Sequence, residues 1–212
     1  MPGSRGFRAA LFAVPGLLLA GFGAAHPGVL DAATAQRWAV LHIVLLPVFP
    51  LPAVAQWLLL APASPWLRWP GRVAAFGFAA FYGGLDAVAG IAAGTVTDVQ
   101  HGVTPVVGSL FEVGDLLGHI GAGCFLAASA LIVLAAIARA GWRALPGAVC
   151  LLVASVSFLD SHIFWPRGVL TMVAVAVGMS LLDYAGSAAT ARASGPAVRR
   201  RGGARTRLPR SS

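Results

Sequence analysis

The residues of this chain that could carry chemistry are five histidines and seven carboxylates, and they are unevenly distributed. With the membrane topology argued below, every histidine and all but one of the carboxylates fall at the outer end of the molecule. Neutral imidazoles and carboxylates are the usual protein ligands of zinc, copper and iron ions. This outer polar set comprises His26, Asp31, His42, Asp86, Asp98, His101, Glu112, Asp115, His119, Asp160 and His162.

Span four of the predicted fold holds three ionisable residues, Glu112, Asp115 and His119, at i, i+3 and i+7. That spacing places all three on one face of a helix. An ionisable group at membrane depth costs ~2.5–3.5 kcal/mol on insertion scales, so it tends to face the bundle interior and to have a partner there. Asp86, near the centre of span three, is the deepest carboxylate, and Tyr82 precedes it by one turn on the same face.

We therefore predict a transition-metal site assembled from several helices near the outer end of the bundle. The predicted ligands are His42, His119 and His162, completed by Asp86 or Asp115, and the ion is zinc, copper or iron. In a catalytic site, Asp115 or Asp86 would act as general base for a metal-activated water, on a lipid or another membrane-embedded substrate. The chain has no H-E-x-x-H or paired C-x-x-C motif, so the prediction depends on convergence of the helices.

Other functions compete with a metal site. A b-type haem electron carrier would use His42 with His119 or His162 as axial ligands. The polar residues could instead hold helices together, with Asp115 and His119 as a self-contained i, i+4 pair, in a scaffold or assembly subunit. Transport is disfavoured because the inner half offers only Asp183 as a carboxylate. A G-x-x-x-x-G-K-[ST] phosphate loop is absent from the sequence, which excludes ATP-driven work by this chain alone.

The elements that must position these residues are apolar helices. The 212-residue chain is 58% hydrophobic and 10% charged, with a mean hydropathy of +0.82, outside the range of soluble domains. A membrane span needs ~20 mainly apolar residues, and the apolar period is not that of alternating strands. The predicted fold is an all-α integral membrane protein, a six-helix transmembrane bundle with spans at about 7–25, 39–60, 73–95, 113–138, 145–165 and 168–188.

The arginines predict the orientation of this bundle. Short cytoplasmic loops carry an excess of positive charge, and the loops of this chain alternate between arginine-rich and arginine-poor. Only Arg37 and Arg167 lie in the other set of loops, so both termini are predicted to be cytoplasmic. The cytoplasmic arginines are Arg5, Arg8, Arg68, Arg72, Arg139, Arg143, Arg192, Arg199, Arg200, Arg201, Arg205, Arg207 and Arg210.

The segment 189–212 is predicted to be a disordered, arginine-rich cytoplasmic tail. The positive net charge of the chain is concentrated in this tail, so it does not indicate nucleic-acid binding. The run Arg199-Arg200-Arg201 could hold anionic lipid headgroups at ~1 kcal/mol per charge, or serve only as a topological anchor. The chain lacks Lys and Asn and is rich in Ala, Gly, Arg and Pro, a bias typical of GC-rich bacterial genomes, so the bacterial plasma membrane is the predicted location.

Three further features bear on the ends and packing of the helices. Arg5 and Arg8, an apolar run and Gly23-Ala24-Ala25 also resemble a cleavable signal peptide, which would leave five helices. Pro47, Pro50 and Pro52 should kink span two. Small-xxx-small pairs, Gly90 with Gly94 and Gly114 with Gly118, predict close packing of spans three and four.

Overall fold

The computed structural model describes residues 3–193, and this part of the chain is helical without a β-strand. Its α-helices are α1 (Gly3–Ala25), α2 (Ala35–Leu45), α3 (Leu51–Leu60), α4 (Pro65–Leu85), α5 (Ala93–Val99), α6 (Pro105–Ala140), α7 (Leu145–Ser161) and α8 (Arg167–Ala193). A π-helical segment, Asp86–Ala92, joins α4 to α5, and a 3-10 turn, Gly141–Ala144, joins α6 to α7. The predicted all-α class is confirmed over the described range.

Four helical stretches are long and apolar enough to cross a membrane: Arg5–Ala25, Pro65–Val99, Pro105–Ser161 and Arg167–Arg192. The third of these contains both α6 and α7, which correspond to predicted spans four and five. Predicted span two corresponds to the shorter helices α2 and α3. Most residues of the outer polar set therefore lie on helices of a membrane protein, whereas His26, Asp31, His101 and His162 lie in its connections.

The break between α2 and α3 lies where prolines interrupt the apolar run. Residues 46–50 form turns, and Pro47 and Pro50 supply no backbone N–H to a helical ladder there. Pro52 lies in the first turn of α3, where a missing N–H leaves no bond unmade. The kink predicted from these prolines is thus a full interruption, which separates the His42-bearing helix from α3.

Glycines allow the helices to approach closely. A Cβ at Gly114 would lie 2.5 Å from the Cβ of Ala89, and one at Gly121 would lie 2.9 Å from the Tyr82 backbone nitrogen. Gly114 therefore packs α6 against the π-helical segment and Gly121 packs it against α4, as predicted. Gly94 instead faces α2, where a Cβ would lie 2.9 Å from the Ala39 nitrogen. Gly90 and Gly94, which lie in predicted span three, therefore pack against α2 and not against α6, the helix that corresponds to predicted span four.

Helix α8 is longer than predicted. It continues to Ala193, so the residues 189–193, assigned to the tail from sequence, are helical. The remainder of the predicted tail, 194–212 with its arginine run, lies outside the described residues. Cys124 and Cys150 are both free thiols.

Candidate functional site

A cavity of about 170 Å³ lies among α2, α4, the π-helical segment, α6 and the α7–α8 connection. Its walls are largely aromatic and aliphatic, with a small number of polar side chains. The polar side chains on its walls are His42, Tyr82, Asp115, His119, Asp160 and His162. Four of the five residues predicted as metal ligands therefore line one cavity; the fifth, Asp86, is not among its lining residues.

His42 is buried, with 2% of its surface exposed, on the face of α2 that packs against the π-helical segment. Its Nδ1 lies 2.7 Å from the carbonyl oxygen of Trp38, one turn earlier. The Trp38 indole stacks on the imidazole at 5.2 Å and donates its Nε1–H to the Ala89 carbonyl at 3.2 Å. Close packing on Gly90 completes the enclosure, so the orientation of the ring is fixed by its neighbours.

His26 follows the end of α1 and turns inward to meet His42. Its Nδ1 lies 2.7 Å from the carbonyl oxygen of Pro27, and its Nε2 lies 3.4 Å from the Nε2 of His42. The ring contacts Trp38 and Phe164 at centroid distances of 4.6 and 4.4 Å. Sequence reasoning included His26 in the outer polar set but not among the predicted ligands, whereas the structure places it beside the buried His42.

The backbone contacts determine the tautomers of both rings. A carbonyl oxygen can only accept a hydrogen bond, so Nδ1 of His26 and Nδ1 of His42 each carry a proton. In the neutral rings both Nε2 atoms are then unprotonated, and two lone pairs face each other. Such a contact is favourable only when a cation lies between the nitrogens or when one ring binds a second proton. Burial opposes the proton, since it lowers the pKa of His26 from 6.5 to about 4.

His162 comes from the α7–α8 connection and forms a short hydrogen bond between its Nδ1 and the Tyr82 hydroxyl. Phe164 contacts the His162 ring at 4.5 Å and the His26 ring at 4.4 Å, so one phenyl ring joins the two halves of the site. His162 ends α7 with φ +48° and ψ −147°, a conformation that side-chain-bearing residues rarely adopt. Strain of this kind costs ~1–3 kcal/mol and persists only where surrounding contacts hold it.

This backbone conformation yields a paired prediction for His162. Both His162→Ala and His162→Gly lose the bond to Tyr82, but only glycine also relieves the positive φ. We expect His162→Gly to be more stable than His162→Ala by about 1 kcal/mol. Thermal unfolding of both variants in the same detergent measures the difference. An alanine variant as stable as the glycine variant would show that the connection is unstrained.

Asp86 begins the π-helical segment, one turn after Tyr82 and one turn before Gly90. It is fully buried, and neither carboxyl oxygen has a hydrogen-bond partner among the described residues. π-Helical turns are rare and occur frequently at functional sites. A buried polar group without a protein partner in such a turn is costly, so Asp86 is best understood as a residue retained for a role other than packing.

The other acidic residues and His119 are more peripheral. Asp115 and His119 are exposed, and His119 donates from Nδ1 to the Asp115 backbone carbonyl at 2.7 Å rather than to its carboxylate. Asp160 forms an exposed ion pair with Arg167 at 3.0 Å. Asp31 accepts hydrogen bonds from its own turn, which lower the pKa of its carboxyl. Asp115, His119 and Asp160 line the cavity and Asp31 does not. The His119 Nε2 and the Asp115 carboxylate have no hydrogen-bond partner among residues 3–193.

Across the described part of the chain, no three His, Cys, Asp or Glu side chains form a group that could hold a metal ion. The imidazoles that do meet are two, His26 and His42. Sequence reasoning missed the role of His26 and the pairing of Tyr82 with His162. The sequence did contain a signal for the proximity of His26 to His42. His26 follows span one and His42 lies near the start of span two, so both are predicted near the same membrane interface.

Comparison with known proteins gives no assignment, because no protein-family model, curated protein or solved structure matches the chain. Function must therefore be argued from the site itself.

Proposed function

We propose that this protein binds a transition-metal ion through His26 and His42 and presents that ion to a small, mainly apolar cavity. The observation that supports the proposal is the 3.4 Å separation of the two Nε2 atoms. Two imidazole nitrogens at ~2.0–2.1 Å from a tetrahedral zinc ion are about 3.4 Å apart. The two rings are thus spaced and oriented as a pair of ligands before any ion is considered.

The hydrogen bonds behind the two rings support the same proposal. Metal-binding histidines almost always donate their second N–H to a carboxylate, a backbone carbonyl or water, which fixes the tautomer and the ring orientation. Here His26 donates to Pro27 and His42 to Trp38, both at 2.7 Å. Imidazole suits zinc, copper and iron, so all three stay candidates.

The remaining coordination positions would be filled from the cavity side. His42 lines the cavity together with His119, His162 and Asp115, the residues predicted from sequence as its fellow ligands. Two histidines leave positions for a further side chain and for water or substrate; catalytic zinc sites keep such an open position, whereas structural sites are closed by four protein ligands. We therefore favour a membrane-embedded enzyme, because the same cavity also carries Asp115, Tyr82 and His162.

In such an enzyme the ion would act as a Lewis acid when bound. Asp115 on the cavity wall, or Asp86 behind it, is the candidate general base. Tyr82 and His162 share a hydrogen bond and could hold a proton at the Tyr82 oxygen. The aromatic walls formed by Trp38, Phe111 and Phe158 would exclude water from the reacting atoms.

A b-type haem is the second candidate, and the geometry favours it less. Axial ligands bind opposite faces of the macrocycle, and His26 and His42 are too close together for a ring to pass between them. For His42 paired with His119 or His162, the haem would have to occupy the 170 Å³ cavity. Pockets for drug-sized ligands are typically ~300–1,000 Å³, so this cavity is smaller than those pockets and too small for a haem.

We further propose that the site lies at the outer face of a bacterial plasma membrane, in a six-span topology with both termini cytoplasmic. The arginine distribution supports this orientation. The paired helices α1 and α8 are consistent with it, because Arg8 near the start of α1 meets Asp183 near the end of α8. In this orientation every histidine lies toward the extracytoplasmic side.

Metal analysis of the purified full-length protein tests the proposal. We expect about one ion per chain in the wild type and a loss of about tenfold or more in affinity for His26→Ala and for His42→Ala. His101→Asn is the matched control, because His101 is a loop histidine with φ +53°, a conformation that asparagine tolerates. A metal-free wild type, or equal loss in the control, contradicts the proposal. A Soret band in the same sample would instead identify haem.

A further inference from the structure

A second and larger cavity lies at the opposite end of the bundle, between α1, α3 and α8. Its volume is about 1110 Å³. One wall carries Leu11 and Val14 of α1, and the facing wall carries Val54 and Leu58 of α3. These four side chains are 42–58% exposed, so the groove presents a continuous apolar lining.

The mouth of this groove is cationic. Arg5, Arg8 and Arg139 line it, with Asp183 as the acidic residue among the described lining residues. Arg8 takes that carboxylate as its own partner through contacts of 2.5 and 3.1 Å. Arg139 also interacts with the Asp183 carboxylate through space, so the three arginines at the mouth share one lining carboxylate and leave a net positive charge.

Two polar groups at the mouth have hydrogen-bonding capacity to spare. Arg139 uses its Nε–H on the Ala135 carbonyl at 3.2 Å, which leaves the terminal nitrogens directed at the surface of Gly186. The Ser187 hydroxyl is buried and has no hydrogen-bond partner among residues 3–193. Because the Ser187 oxygen has almost no accessible surface, the guanidinium fork of Arg139 is the group that offers paired N–H donors to phosphate oxygens.

The dimensions of the groove match one membrane leaflet. From Arg5 to Pro15, α1 rises about 15 Å, which is half of the ~30 Å hydrocarbon core of a bilayer. A charged mouth at the interface and an apolar groove of this length fit one amphiphile with a phosphate head. Solvent or a soluble peptide would leave the apolar walls exposed to water.

We propose that this groove binds an anionic phospholipid. The phosphate binds to Arg139 and Arg5, and one acyl chain lies along Leu11 and Val14 of α1 and Val54 and Leu58 of α3. This site is built from residues other than the tail arginines and the histidine pair. The bound lipid would contact α1, α3 and α8 together and so link these three helices at this end of the bundle.

Native mass spectrometry of the full chain, titrated with phosphatidylglycerol or phosphatidylcholine, tests the inference. We expect phosphatidylglycerol to bind at least about tenfold more tightly, and Arg139→Gln to remove about tenfold of that affinity. Arg143→Gln is the matched control, because Arg143 lies in the adjacent 3-10 turn and does not line the groove. It should retain wild-type binding.

A second variant tests the acyl groove without touching a charge. Val54→Trp places a bulky ring on the exposed wall of α3, and we expect it to weaken phosphatidylglycerol binding about tenfold while the thermal stability of the lipid-free protein is kept. Equal affinity for the two lipids, equal loss in Arg139→Gln and Arg143→Gln, or full binding by Val54→Trp would each overturn the inference. His42→Ala should bind the lipid normally, which separates this result from the metal proposal.

Discussion

Replacing Gly90 with alanine is expected to remove most of the metal that the protein binds, although Gly90 itself carries no ligand atom. A Cβ at this position would overlap Cδ2 and Cγ of the His42 ring and lie 2.7 Å from its Cβ. The ring must then rotate or α2 must move outward, and either change separates the Nε2 atoms of His42 and His26. We expect a loss of ~1–3 kcal/mol in the free energy of unfolding and of about tenfold or more in metal affinity.

Gly83→Ala is the matched control for this experiment, because Gly83 belongs to the neighbouring helix α4 and a Cβ there would meet nothing within 4 Å. It should bind metal normally and be as stable as the wild type or slightly more so, since alanine favours the helix over glycine. Metal content and thermal unfolding, measured on both variants in one detergent, give the comparison. Normal metal binding by Gly90→Ala would mean that the His42 ring does not define the site.

The membrane class and the outer polar set could be predicted from sequence because both depend on composition and position along the chain. A run of apolar residues must be helical in lipid, whatever its neighbours. Prolines disfavour a continuous helix, and Pro47 and Pro50 interrupt it between α2 and α3, whereas Pro15 and Pro70 lie inside α1 and α4. These constraints act locally, so they need no knowledge of which helices are adjacent.

The composition of the site could not be predicted, since it depends on adjacency and on local backbone geometry. Glycine spacing indicated close packing but not the partner, and Gly90 turned out to face His42 rather than span four. His26 precedes α2 by an irregular loop whose path no periodicity describes, and the positive φ of His162 has no sequence signal. The two contacts that define the site, His26 with His42 and Tyr82 with His162, join residues 16 and 80 positions apart.

Asp86 gives the second large expected effect, in which stability and metal binding change in opposite directions. Its carboxyl group is buried without a protein partner, and a carboxylate at membrane depth costs ~2.5–3.5 kcal/mol. Asp86→Ala removes this cost, leaves only a small cavity and improves helix propensity. We expect a net gain of ~1–2 kcal/mol, or roughly 2–8 °C in the unfolding temperature for a protein of this size.

The metal affinity of the Asp86 variants should fall although the fold becomes more stable. Asp86 begins the π-helical segment one turn before Gly90, on which His42 packs. A cation bound at His42 would favour the ionised form of a nearby carboxyl group, so Asp86→Asn, which keeps the shape, should lose about tenfold in affinity. Ser155→Ala is the control, because the buried Ser155 hydroxyl is satisfied by the Leu151 carbonyl at 2.7 Å and its loss changes no charge near the site.

The combination of outcomes separates the roles that Asp86 could have. Greater stability with weaker metal binding identifies a carboxylate that the fold tolerates because the ion needs its charge. Greater stability with unchanged metal binding would exclude Asp86 from the site and leave Asp115 as the candidate general base. Lower stability in Asp86→Ala would mean that the carboxyl group holds the π-helical segment in place, which in turn positions Gly90 beneath His42.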